Sequence, residues 1–149
     1  MDDCSNDTSI DTIIEYEAKD KRVHLIQNSR KRYNGGSRNV GIDYALENFG
    51  FDYFCFLDSD DWIEPNMYSL MIQVAETYKV DIVSCNIIRH NYLNGKVEQR
   101  HYSGKIEIFL QNQIIEELLT QDKVRFEVWN KLWKKELVEQ IRFVKGQVS

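Results

Sequence analysis

The chain has 149 residues, 42% of them hydrophobic, with a formal charge of -5 and a pI near 5.2. That is enough apolar material for one domain with a single core, and the acidic balance argues against general nucleic-acid binding. Cys4, Cys55 and Cys85 are odd in number and lack paired metal-ligand spacing, so neither a disulfide framework nor a zinc site is suggested and a reducing cytosol fits best.

From Asp7 to Ala18 the apolar residues Ile10, Ile13, Ile14 and Ala18 recur at helical spacing, and Asp7 or Thr8 can cap the start. RVHLIQN, residues 22–28, reads as a short strand. The basic run Arg30, Lys31 and Arg32, with Arg38 shortly after, suits either a solvated face or a localised anion such as a phosphate. A turn at Asn34, Gly35 and Gly36 leads to a second helix with Ile42, Ala45, Leu46 and Phe49 on one face.

YFCFL, residues 53–57, is apolar on both faces, as a central strand covered by helices would be. Pro65 then suits the first turn of a third helix, whose apolar face is Met67, Leu70, Met71, Val74, Ala75 and Tyr78. VDIVSCNII from Val80 reads as another strand, and Asn94-Gly95, between Tyr92, Leu93 and Val97, as a hairpin turn needing positive φ. Residues 105–120 carry a helix with Ile114, Ile115, Leu118 and Leu119 inward, and a smaller helix spans residues 134–140. The alternation predicts an α/β sheet of mostly parallel order with helices on both faces and a hairpin added.

FCFLDSDDWIEP, residues 54–65, loads Asp58, Asp60 and Asp61 onto the exit of the central strand. In open α/β sheets the ligand crevice lies beyond such exits. Three carboxylates this close repel one another, and the repulsion is relieved either by solvent or by a cation, for which hard oxygen ligands suit Mg²⁺ or Mn²⁺. The structural alternative is an acidic N-terminus for the following helix, favoured by its dipole. A calcium loop is excluded, because Ile63 stands where its sixth-position Gly should be and Ser69 where its twelfth-position Glu should be. A second acidic pair, Asp2 and Asp3, precedes the first helix in the same manner.

DDCSND before a helix, NGGSRNVGI at residues 34–42, FLDSDDWIEPN at residues 56–66 and WNKLWKKEL at residues 129–137 together resemble the ordered motifs of family-two glycosyltransferases. The resemblance spans nearly the whole chain and implies an inverting enzyme of the GT-A fold, similar in style to bacterial transferases that build surface polysaccharide. It implies that Asp2 or Asp3 holds the nucleotide base, that Arg38 borders the nucleotide site, that Asp58 faces the ribose, and that Asp58 and Asp60 hold Mn²⁺ or Mg²⁺. Asp61 is expected to cap the next helix. The implied partners are a nucleotide-diphosphate sugar, with uridine diphosphate as the favoured carrier, and a glycan or lipid-linked glycan acceptor.

The same resemblance predicts a single partial domain over residues 1–149, with a nucleotide and metal core at 1–90 and hairpin and acceptor-side elements at 91–149. The family pattern begins with an apolar strand, a loop, a helix and a second strand ahead of the acidic pair, and it sets a catalytic Asp after a segment like IRFVKGQVS. The chain as written is therefore expected to be a fragment truncated at both ends, with little transferase activity of its own. The alternative is an inactive piece that retains nucleotide and metal binding or associates with another chain. His24, His90 and His101 fall on strand and hairpin positions that suit structural or exposed histidines, and Trp129 and Trp133 suit either core packing or the border of an acceptor sugar. No apolar run approaches the roughly 20 residues of a membrane span, and MDDCSND lacks a signal peptide's basic start. A cytoplasmic place is expected, with Arg30 to Arg32 available for peripheral contact at the inner membrane face.

Overall fold

The computed structural model describes residues 1–91, 93–100, 104–121 and 123–144. Two positions of the expected hairpin, Tyr92 and His101, lie outside the described residues, as does the 145–149 end of IRFVKGQVS. The chain forms two compact units, Met1–Phe51 with Val138–Ser149, and Asp52–Leu137.

In the first unit, α1 spans Ser9–Lys19, and its free N-terminal donors are met in part by Asp7, whose Oδ1 accepts the Ser9 N–H at 2.9 Å. Residues 22–28, predicted as a strand, form only a single parallel bridge between Asp2 and Gln27 among the described residues. Its two bonds are Asp2 N–H to the Ile26 carbonyl at 2.8 Å and Asn28 N–H to the Asp2 carbonyl at 3.0 Å. The second helix, α2, runs Tyr33–Asn48 and so takes in the Asn34, Gly35 and Gly36 segment that sequence reads as a turn. Those glycines serve close packing instead. A Cβ on Gly35 would lie 2.7 Å from the Val144 carbonyl oxygen, and one on Gly36 would lie 2.8 Å from the Arg32 Cβ. Ile42 on α2 is the one fully buried large side chain among the described residues, at 1% exposure.

The second unit holds β1 (Tyr53–Cys55), α3 (Met67–Tyr78), β2 (Ile82–Ser84), β3 (Ile87–His90), β4 (Val97–Arg100), α4 (Gln111–Thr120) and β5 (Lys131–Lys134), after which α5 (Lys135–Gln140) leads toward the first unit's closing segment. The α/β class stands, but every ladder among the described residues is antiparallel. Strand order is β1-β5-β2, with Cys55 and Val83 both opposite Leu132. The two predicted strands therefore run parallel to each other, as a pair joined by the α3 crossover must, but β5 is inserted between them. The central strand is β5, and β1 is an edge. Leu132, Met71 and Ala75 make the buried core beneath the sheet, with Tyr53, Cys55, Met67 and Val83 packed against it.

VDIVSCNII is not one strand: β2 belongs to the three-stranded sheet, whereas β3 pairs with β4 in a separate hairpin. The Asn94-Gly95 turn is as expected, with Gly95 at φ +66° and the Asn94 Oδ1 accepting the Lys96 N–H at 3.0 Å. Pro65 lies two residues ahead of α3, and Asn66 takes the cap position. Met71 and Ala75 form the buried stripe of α3, while Leu70 stays 51% exposed. On α4, Ile114 and Leu118 are half-buried, but Ile115 and Leu119, expected inward, are exposed.

Candidate active site

Asp2 and Asp3 are built into the first unit by short-range backbone geometry. The buried Asp2 carboxylate accepts the Cys4 N–H at 3.1 Å and the Ser5 N–H at 3.2 Å, a tight turn that sets Cys4 at φ +65°. Asp3 points the other way. Its Oδ1 accepts from the Asn28 side-chain amide at 2.9 Å and the Arg32 N–H at 2.8 Å, and its Oδ2 accepts the Tyr33 N–H at 2.8 Å. Burial pushes the Asp3 carboxyl up, but the N–H groups of Arg32 and Tyr33 with Asn28 and Ser37 outweigh it and hold its pKa below the ordinary value. The buried Asn28 also donates to the Ser37 hydroxyl at 2.9 Å, so the acidic pair, the end of RVHLIQN and the GGSRN segment form one network. Sequence reasoning missed Asn28, and missed that Asp3 satisfies the opening N–H groups of α2.

Arg38, on the same helix, is half-buried with its guanidinium carbon 5.7 Å from the Phe143 ring centroid. Asn39 beside it is buried and makes a reciprocal pair with the Phe143 backbone, donating to the carbonyl at 2.9 Å and accepting the N–H at 2.8 Å. Asp43, one turn on, accepts both Arg142 Nε at 3.1 Å and Nη2 at 2.8 Å. One side of α2 is thus a docking strip for residues 142–144. His24 packs with Phe49 and Tyr44, at 4.9 Å and 6.0 Å between ring centroids, as a structural histidine would.

In the second unit, β1 stops at Cys55, and a turn closed by the Asp61 N–H on the Asp58 carbonyl at 3.1 Å gathers the three acids. Asp58 is half-buried, and Asp60 and Asp61 are exposed. Burial, then the neighbouring charges of Asp60 and Asp58, push the Asp61 pKa up. The three carboxylates therefore share one negative field. Among the described residues no group of three or more His, Cys, Asp or Glu side chains is placed to hold a metal ion. A pair of carboxylates on an open edge fits Mg²⁺ or Mn²⁺, which keep water and take substrate phosphates as further ligands.

Beside this turn the second unit forms an open cavity of about 810 Å³. Asp60, Asp61, Trp62 and Glu64 line it from the turn, Met67 and Leu70 from α3, His90 from β3, Gln99 from β4, and Lys123, Arg125, Glu127, Trp129 and Asn130 from the segment entering β5. Its floor explains WNKL. The buried Asn130 donates to the Cys85 carbonyl at 2.9 Å and to the Ser84 hydroxyl at 3.2 Å, and its Oδ1 accepts from Lys131 Nζ at 3.0 Å. Lys131, also buried, donates to the Glu127 carbonyl. Burial lowers the Lys131 pKa to about 8 against the pull of Glu127. Trp129 lines the cavity, whereas Trp133 is half-buried on β5 and is not among the lining residues. His90 lies with its ring 4.9 Å from that of Trp62.

Residues 1–141 match the family model described as glycosyl transferase family 2. The chain belongs to this family. Among curated relatives it is similar to EpsH of Bacillus subtilis (strain 168), 32% identical over 93% of this chain and 38% of that protein. It is likewise similar to Glycosyltransferase GlyA of Streptococcus pneumoniae serotype 4, 30% identical over 100% of this chain and 22% of that protein. Succinoglycan biosynthesis protein ExoO of Rhizobium meliloti (strain 1021) is 34% identical over 58% of this chain. The chain spans well under half the length of these relatives. As a family-two glycosyltransferase domain it carries the expected α/β fold, and no helix among its described residues is long and apolar enough to cross a membrane.

Proposed function

We propose that this domain serves transfer of a sugar from a nucleotide-diphosphate donor, with uridine diphosphate as carrier, to a glycan or lipid-linked glycan acceptor, with inversion at the anomeric carbon. The observation that carries this reading is the turn at Asp58, Asp60 and Asp61 at the exit of β1, opening beside a cavity of about 810 Å³. In a single displacement the acceptor hydroxyl attacks the anomeric carbon and loses its proton to a general base, while the bond to the departing diphosphate breaks on the opposite face, which inverts the centre. Asp58 and Asp60 would hold Mn²⁺ or Mg²⁺, which when bound stabilises charge on the leaving diphosphate as a Lewis acid. In the first unit Asp2, Asp3 and Arg38 are assigned to the nucleotide: the acids by their place at the head of the Asn28 network, Arg38 by its positive charge on the adjoining helix.

Peripheral contact with the cytoplasmic face of a membrane belongs to the same reading, supported by the exposed Arg30 and Lys31. The test is calorimetric titration of the chain with uridine diphosphate, with and without Mn²⁺, beside Asp60→Asn. The expected outcome is binding that requires the metal and weakens by about tenfold or more in the variant, the scale of one lost charged ligand. Metal-independent binding, or equal binding by Asp60→Asn, would remove the carboxylates from the donor site.

A further inference from the structure

Resting on the sugar-transfer reading above, we infer that Trp62 is the stacking platform for a neutral pyranose ring of the acceptor, with Trp129 as a second aromatic wall of the same cavity. Trp62 follows the acid turn directly, yet it is not core: it is 58% exposed while lining the cavity. Its orientation is supported from one side by His90, whose ring is tilted 57° to it at 4.9 Å. Trp129 is half-buried and lines the cavity from the opposite end of the unit's sequence. The volume, about 810 Å³, falls within the roughly 300 to 1,000 Å³ usual for small-molecule sites.

Chemistry selects the occupant. A pyranose presents apolar C–H faces above and below the ring and hydroxyls around its edge. The faces suit indole, and the edge suits side chains such as Asp61, Gln99 and Arg125 that rim the cavity. A nucleobase would also stack on indole. The nucleotide, however, is assigned above to Asp2, Asp3 and Arg38 of the first unit, which leaves this indole for the neutral acceptor. A ring on Trp62 sits one residue from Asp61, next to the carboxylates assigned to the donor, where an acceptor hydroxyl is needed.

The experiment is saturation-transfer NMR of the chain with methyl β-glucoside, methyl β-galactoside, methyl β-N-acetylglucosaminide and cellobiose, compared with Trp62→Ala and Trp62→Phe. At least one saccharide should receive saturation at its ring protons. Its apparent Kd should weaken about tenfold in Trp62→Ala and stay within about threefold in Trp62→Phe, the scale of one aromatic contact. If Trp62→Ala loses its far-UV circular dichroism, Trp62→Gln, which keeps bulk without a ring face, takes its place. Calorimetry with uridine diphosphate and Mn²⁺ should be unchanged in the variant. Equal saccharide affinity in the variants, no saccharide bound by the folded chain, or loss of uridine diphosphate binding with Trp62 would each overturn the inference, the last by making Trp62 a nucleobase platform. Saccharide binding lost with Trp62 in a chain that shows no metal-dependent nucleotide binding would instead sink the donor reading and leave the platform standing.

Discussion

Asp3 shows how a motif residue can carry a fold as well as a site. Its carboxylate accepts two consecutive backbone N–H groups at the head of α2 and the Asn28 amide, and its pKa in the folded chain lies below the ordinary 3.8. As pH falls, the unfolded chain takes up this proton first. The stabilisation is therefore complete above the unfolded value and is lost as pH falls through the folded one. Asp3→Asn is expected to cost about 1 to 3 kcal/mol at neutral pH, the usual worth of hydrogen bonds to a charged group. The gap from the parent chain should close as pH drops below about 4; a gap constant with pH, in urea midpoints taken across that range, would show that the charge is not what secures α2. The acids themselves were legible in the sequence. Their partners were not, because Asn28, Arg32 and Tyr33 lie 25 to 30 positions away and carry no periodic signal.

At the scale of elements, repeating patterns located the helices but overstated their inward faces, as exposed Leu70, Ile115 and Leu119 show, and pairings that depend on a neighbour were not read. The helices α1 and α3 and the Asn94-Gly95 hairpin follow from spacing and turn chemistry. The strand β5 was missed, since Lys131, Leu132, Trp133 and Lys134 form a four-residue lysine-flanked stretch whose strand character comes from pairing on both sides with β1 and β2. Likewise the Gly35-Gly36 pair looks like a turn until residues 143 and 144 are seen against α2. Ala is the better helix former by about 1 kcal/mol, so propensity alone says Gly35→Ala should stabilise. We expect the reverse, a loss of about 1 to 3 kcal/mol from overpacking against the Val144 carbonyl. Gly50→Ala, where nothing lies within 4 Å, should be close to neutral. Thermal unfolding of the two variants side by side decides the matter, and a stabilised Gly35→Ala would mean that residues 143 and 144 do not hold that approach.

For the molecule as a whole, the division into a contiguous unit, Asp52–Leu137, and a unit assembled from two stretches of chain predicts separable local stabilities. Asn39→Ala removes both bonds to the Phe143 backbone and leaves a carbonyl and an N–H to find water. Hydrogen exchange should accelerate about tenfold or more at the amides of α2, while the β5 amides paired with β1 keep their protection. Equal acceleration in both units would show one cooperative block instead. The α/β class was legible from the alternation of elements, but the pairing of α2 with residues 142–144 joins positions 104 apart and could be found only in three dimensions. That separation also sets an order of assembly on the ribosome. At roughly 5 to 20 residues per second, the Asn39 side chain emerges roughly 5 to 20 s before the backbone that completes it, and during that interval the strip along α2 is open to a chaperone or to the wrong segment of a neighbouring nascent chain.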